Sequence, residues 1–274
     1  MSFLRAFFSR RATIISFGIF LAIAAVALGA PWIFARGPFT IVGMPLLPPG
    51  APGLLAGSDV LGRDMAVGLA FGARISLLVG VVSTIGAVGI GVMLGAVAGY
   101  YGGVIDDVLM RVTEFFQIIP NFVLLMVLVA FLEPSLASTV IGIALISWPQ
   151  VARVVRGEFL ALRAREFVAA AHTLGLGDRQ IIFSEILPNA IPPIVVVASM
   201  MVGNAILTES ALSFLGLGDP NLLTWGSMIG GARSAMWVAW WTMLLPGLCI
   251  LVTVLALNFI GDGLNEALNP RRRR

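Results

Sequence analysis

The sequence predicts an all-α, polytopic membrane protein, a single domain over residues 1–274 with six spans. Three observations predict it. Hydrophobic residues make up 59% of the chain and charged residues 11%, against roughly 25% charge in a soluble domain. The apolar residues gather in blocks long enough for a helix to cross a bilayer, about 20 residues each. The basic residues fall unevenly between the segments that join those blocks. Helices are the expected form because each satisfies its own backbone hydrogen bonds in lipid.

The first block, 12–34, follows Arg10 and Arg11. Ala27 to Ala30 resembles a signal cleavage site. A signal core is only about 7–15 residues long, so this longer run reads as a retained anchor. An outer loop, about 36–74, comes next and is rich in Pro and Gly. It is long for a linker, and loops beyond about 12–15 residues are usually functional or disordered. The remaining blocks are 75–98, 104–132, 138–155, 191–212 and 241–260. The third opens with Asp106, Asp107 and Arg111, so its embedded part starts later. Asn204 and Glu209 interrupt the fifth. A second outer segment covers about 216–240, and an inner loop covers about 156–190.

With the N-terminus in the cytoplasm, 13 of the 17 Arg lie inside, among them Arg5, Arg10, Arg11 and Arg271 to Arg274. Arg36, Arg63, Arg74 and Arg233 lie outside. Short positively charged loops stay inside, so both termini are expected in the cytoplasm. Trp32, Trp225, Trp237, Trp240 and Trp241 then fall at the outer interface, where an aromatic belt belongs.

Composition excludes several chemistries. All 17 basic residues are Arg, and there is no Lys. A Walker A phosphate loop and a Schiff-base enzyme both need one. One His and one Cys build no His/Cys zinc cluster and no internal disulfide. No catalytic residue, metal ligand, cofactor site or nucleic-acid partner is predicted.

The inner loop holds the most polar long stretch, FVAAAHTLGLGDRQIIFSEILPNAIPP, from Phe167 to Pro193. Phe167, Ala170, Ala171 and Leu174 recur at i, i+3, i+4 and i+7, one face of a short helix. Gly175 can end that helix in a left-handed cap. Asp178 can cap a second helix starting at Arg179, which Pro188 closes. The first helix either inserts its small apolar face into a groove on another protein or lies on lipid headgroups.

Ionisable residues inside a membrane are expensive and usually face a cavity or a partner. Glu209 either lines a substrate path or serves structure, capping the turn at Ser210–Ser213 or pairing with a partner chain. Asn204 either lines the path or donates a hydrogen bond between helices. Asp106, Asp107, Arg111 and Glu114 read as a structural ion-pair cluster, with Asp107 and Arg111 an i,i+4 pair.

Ala170, Ala171, Gly175, Leu187 and Pro188 stand at the spacing of the EAA loop of ABC-importer permeases, which this loop resembles. Ala169 occupies the Glu position. GSDVLGRD (57–64), GARISLLVG (72–80), AGYYGGVIDDVLMR (98–111), ILPN (186–189), ESALSFLGLG (209–218), WGSMI (225–229) and GDGLNEALNPR (261–271) follow in order along the chain. They resemble the dipeptide/oligopeptide permease family, its second membrane subunit in particular. The resemblance implies a translocation subunit that pairs with a homologous permease and docks two cytoplasmic ATPase subunits, which bind ATP and Mg. It further implies a receiving surface for an extracytoplasmic substrate-binding protein. Phe167, Ala170, Ala171, Leu174, Gly175, Leu187 and Pro188 would couple to the ATPase. Asp59, Arg63 and Asp64 would organise the receiving surface or outer gate. Members of that family import dipeptides, oligopeptides, glutathione or nickel. The rival class is an ion-gradient-driven secondary transporter using Glu209 as a proton site, and a third is a membrane scaffold.

Overall fold

A computed structural model describes residues 7–8 and 10–268. The expected cytoplasmic Arg5 and Arg271 to Arg274 lie outside the described residues. Among those described, the regular structure is helical: α1 (Arg11–Ile33), α2 (Met65–Tyr101), α3 (Gly103–Ile118), α4 (Asn121–Leu132), α5 (Leu136–Arg163), α6 (Glu166–Thr173), α7 (Asp178–Gln180), α8 (Leu187–Phe214), α9 (Trp225–Gly231) and α10 (Trp241–Leu268). Five helical stretches are long and apolar enough to cross a membrane: α1, α2, α5, the continuous run Asp178–Phe214, and α10.

The third span differs from the expected single helix over 104–132. It is broken into α3 and α4, which meet at 85°. Pro120 is the cause. The residue before a proline is driven out of the helical region, and Ile119 is extended at φ −82, ψ 130. At 1.5 Å per residue, neither half alone spans a hydrocarbon core of about 30 Å. The sixth crossing therefore rests on the bent pair.

Two loops are shorter than expected. Asp64 caps α2 by accepting from the Ala66 N–H at 2.8 Å, so the helix begins ten residues before the first strongly apolar run. Helix α5 runs on to Arg163, which leaves 164–177 as the inner connection. Asp178 is not the cap of a second helix, because α7 starts at Asp178 itself, with Gly177 at the N-cap. Pro188 does not close that helix either. A π-helical turn at Ile181–Ile186 leads straight into α8, with Leu187 N–H bonded to Ile182 O. A proline lacks the N–H and crowds the carbonyl four residues back, and the wider turn absorbs both defects.

The central packing is α2 against α5. Gly91, Gly95 and Gly99 recur every four residues on α2 and meet α5 face to face. A Cβ at Gly91 would lie 2.5 Å from Val151 Cβ, and one at Gly99 would lie 2.6 Å from Phe159 Cβ. At Gly95 it would meet the Ala152 carbonyl. Small residues let helix backbones approach this closely in a membrane, and any side chain here would push the two helices apart.

The tryptophans divide into two groups. Trp32, Trp237 and Trp240 are exposed, as a belt requires. Trp225 and Trp241 are buried, and their indole N–H groups donate to Leu69 O at 3.0 Å and Ser58 O at 3.2 Å. These two rings anchor the outer segments to α2 and its loop instead of meeting lipid.

Candidate functional site

Three regions hold the residues singled out from the sequence. The first is the projection built by α6 and α7, expected on the inner side. Helix α6 ends in a Schellman motif: Leu176 N–H bonds Ala171 O at 3.1 Å, and Gly175 N–H bonds His172 O at 3.0 Å. Gly175 sits at φ +78, a conformation that glycine adopts without a Cβ penalty.

The expected apolar face splits. Ala171 and Val168 turn inward and pack with Ile181, Ile182, Ile186 and Phe159. Phe167, Ala170 and Leu174 turn outward, and Leu174 is 81% exposed. Phe183, on the π-helical turn, is also exposed and was not singled out from the sequence. Its only signal is an aromatic in a polar loop. Leu187 packs partly against the inner core, and Pro188 is exposed.

Side-chain bonds brace this projection. Tyr100 OH donates to Asp178 Oδ1 at 2.8 Å, and Arg163 Nη1 donates to Tyr100 O at 2.6 Å. Arg156 clasps Asp106 in a bidentate pair, Nε to Oδ1 at 2.5 Å and Nη2 to Oδ2 at 2.6 Å. The expected Asp107–Arg111 pair is not formed; among the described residues the salt bridges are Asp106–Arg156 and Arg10–Glu266. Asp106 chooses Arg156 because the close α2–α5 packing brings the end of α5 beside the start of α3. A planar guanidinium then meets the carboxylate with two bonds.

The second region is the outer loop. Asp59 Oδ1 accepts from the N–H groups of Leu61 and Arg63, both at 2.8 Å, and Asp64 caps α2. Both carboxylates are therefore engaged in shaping backbone. The Arg63 guanidinium lies over the Phe39 ring, 5.1 Å from its centroid. Gly57 and Gly62 hold positive φ where a Cβ would strike the backbone of Leu47 and Gly43. The loop is a folded element on the end of α2, not a solvated linker.

The third region is a cavity of about 360 Å³ at the bend between α3 and α4. Asn204 lines it, with Gln117, Asn121, Gln150, Arg153 and Thr208. Apart from Asn204, these were missed in the sequence. Their signal was Gln150–Arg153 and Asn204–Thr208 at i,i+3 and i,i+4 spacing, polar stripes on otherwise apolar helices.

Glu209 does not line the cavity. It is 2% exposed and accepts from Ser213 Oγ at 2.6 Å, with Ser210 Oγ at 3.4 Å. A proton site driven by an ion gradient would need access to water, and Glu209 lies sealed between α8 and α9. Among the described residues no group of three His, Cys, Asp or Glu could hold a metal ion.

Comparison with known proteins places this geometry. Over 98% of its length the chain is 36% identical to the dipeptide transport system permease protein DppC of Haemophilus influenzae and covers 93% of that protein. It is 38% identical to the oligopeptide permease protein OppC of the same organism, covering 98% of this chain and 88% of that one. It is 38% identical to the di/tripeptide permease protein DppC of Pseudomonas aeruginosa over 92% of the chain. An inward-facing structure of the MetNI methionine ABC transporter shares the fold, with a TM-score of 0.61 at 18% identity over 75% of this chain. Residues 91–274 match the model for the inner membrane component of binding-protein-dependent transport systems. The chain belongs to that family: it is the membrane-spanning permease subunit of an ABC importer.

Proposed function

We propose that this permease imports short peptides across a bacterial inner membrane, as half of a pore whose other half is a homologous permease. Two cytoplasmic ATPase subunits, which bind ATP and Mg, dock beneath the pair, and an extracytoplasmic binding protein delivers cargo from above. The observation that carries the docking role is Leu174, 81% exposed at the tip of a helix whose opposite face is buried and braced. An apolar side chain held out on a rigid mount fits a groove on a partner. Peptide cargo is supported by the near full-length similarity to dipeptide and oligopeptide permeases.

Motion of the ATPase pair would enter at α6. The Tyr100–Asp178 and Asp106–Arg156 contacts tie that region to α2, α3 and α5. The cavity lies further along α5 and on α8, so a tilt at the inner end changes its opening. On the outer side, the Asp59–Asp64 turn and Arg63 form the surface that receives the binding protein.

Reconstitution tests this reading. The chain, its partner permease, the ATPase subunits and the binding protein, assembled in proteoliposomes, should accumulate a labelled dipeptide only with ATP and binding protein. Uptake driven by a pH gradient without ATP would refute it.

Orientation is tested separately. In a Cys249→Ser background, a cysteine at Ser135 should label from outside in intact cells, and one at Thr173 should not. The reverse pattern would invert the topology and put α6 on the wrong side for an ATPase.

A further inference from the structure

We infer that Arg153 binds the carboxylate of the transported peptide, inside the cavity at the α3–α4 bend, with Asn121, Gln150 and Asn204 pairing to the peptide's own amides. The inference rests on the proposed peptide cargo and names the atoms that hold it.

Four helices supply the cavity: Gln117 comes from α3, Asn121 from α4, Gln150 and Arg153 from α5, and Asn204 from α8. Its volume, about 360 Å³, falls within the range that small ligands occupy, roughly 300–1,000 Å³. The site is an open groove part-way along the helices, where Asn121, Gln150, Arg153 and Asn204 are exposed on the surface of this chain. Asn204 is ten residues from the outer end of α8, roughly 15 Å at 1.5 Å per residue. Polar and charged side chains at such depth face the bundle interior or a water-filled path.

These exposed groups are available to an occupant from outside the chain. Among the described residues, the side chains of Gln150, Arg153 and Asn204 have no hydrogen-bond or ion-pair partner. The neighbouring Arg156, three residues on, is held by Asp106 through Nε and Nη2. Arg153 is thus a fixed positive charge beside carboxamides, with no acid among the cavity's lining residues. An always-charged planar guanidinium favours a carboxylate, which it can bind with two parallel bonds. Carboxamides offer a donor and an acceptor each, the complement of a peptide bond. A free divalent metal finds the opposite here: a repelling cation, and no carboxylate, thiolate or imidazole on the wall.

The reconstituted full transporter tests this with two cargoes, dialanine and its C-terminal amide, each presented at a concentration that saturates the binding protein. Arg153→Gln should lower dialanine uptake about tenfold, the effect of losing one charge-assisted hydrogen bond. It should leave amide uptake and ATP hydrolysis stimulated by the loaded binding protein near wild type, and Arg153→Lys, which keeps the charge but not the planar fork, should fall between Arg153→Gln and wild type in dialanine uptake. Unchanged dialanine uptake in Arg153→Gln overturns the inference. So does equal loss for both cargoes, or loss of the partner permease on purification, since Arg153 would then serve coupling or assembly. A wild-type complex that hydrolyses ATP with its binding protein yet moves neither cargo overturns the peptide reading itself, and this inference with it.

Discussion

Leu174→Asp is expected to abolish ATP-driven uptake while the protein reaches the membrane in normal amount. Leu174 lies on the exposed side of α6 and is 81% exposed, so the change costs the isolated fold little. In the assembled transporter the same side chain would be buried in an ATPase groove. An uncompensated charge left there costs about 3–5 kcal/mol, and about 1.4 kcal/mol is tenfold in binding. The ATPase subunit should therefore be lost on purification, with affinity down by at least about a hundredfold. Leu174→Met, similar in volume and apolar, should retain both binding and uptake. The measurement is co-purification with the ATPase alongside uptake in cells. Wild-type import by Leu174→Asp at normal abundance would show that α6 lies on lipid headgroups instead.

The second large effect is expected at the inner brace. Asp106 is 8% exposed and is held by both ends of the Arg156 fork. Arg156→Ala leaves that carboxylate buried without its cation. Breaking a buried pair from one side typically costs about 3–5 kcal/mol; the partial exposure of Arg156 puts the expected loss near about 3 kcal/mol. Thermal unfolding in detergent should report a lowered midpoint, and uptake should fall more than ATP hydrolysis because the link between α3 and α5 is cut. The double variant Asp106→Arg, Arg156→Asp should recover part of both. If the double variant is as impaired as the sum of the two single ones, the pair is not a coupled unit and the brace is wrongly assigned.

The sites were legible to different degrees, for reasons particular residues make plain. The glycine stop at Gly175 could be read directly, because a helix ending needs only local backbone freedom. The outward set of Phe167, Ala170 and Leu174 was legible as a stripe, but Ala171 was placed on it wrongly. Periodicity locates a helical face within about one residue's rotation, and only the packing of Val168 and Ala171 against Ile181 and Ile186 shows which edge is inside. Asp59 and Asp64 were visible as polar residues in a loop. Their engagement with backbone N–H groups was not, since a carboxylate that shapes a turn and one that awaits a partner have the same letter.

By itself the sequence determined the solvent this protein lives in, its helical class and the family its ordered motifs resemble. Each of these follows from local composition or from short-range spacing. Tertiary structure alone decided what depends on distant residues meeting. Pro120 turned one apolar run into two helices at 85°, opening a polar cavity where they bend. The glycine ladder Gly91–Gly95–Gly99 drew α2 onto α5 and so gave Asp106 to Arg156 rather than to Arg111. Glu209 went to the serines one and four residues on, sealed by α9, while Arg153 faces the cavity with no partner among the described residues. A charge in an apolar run announces that something must satisfy it, but only the packing of the helices determines which group does.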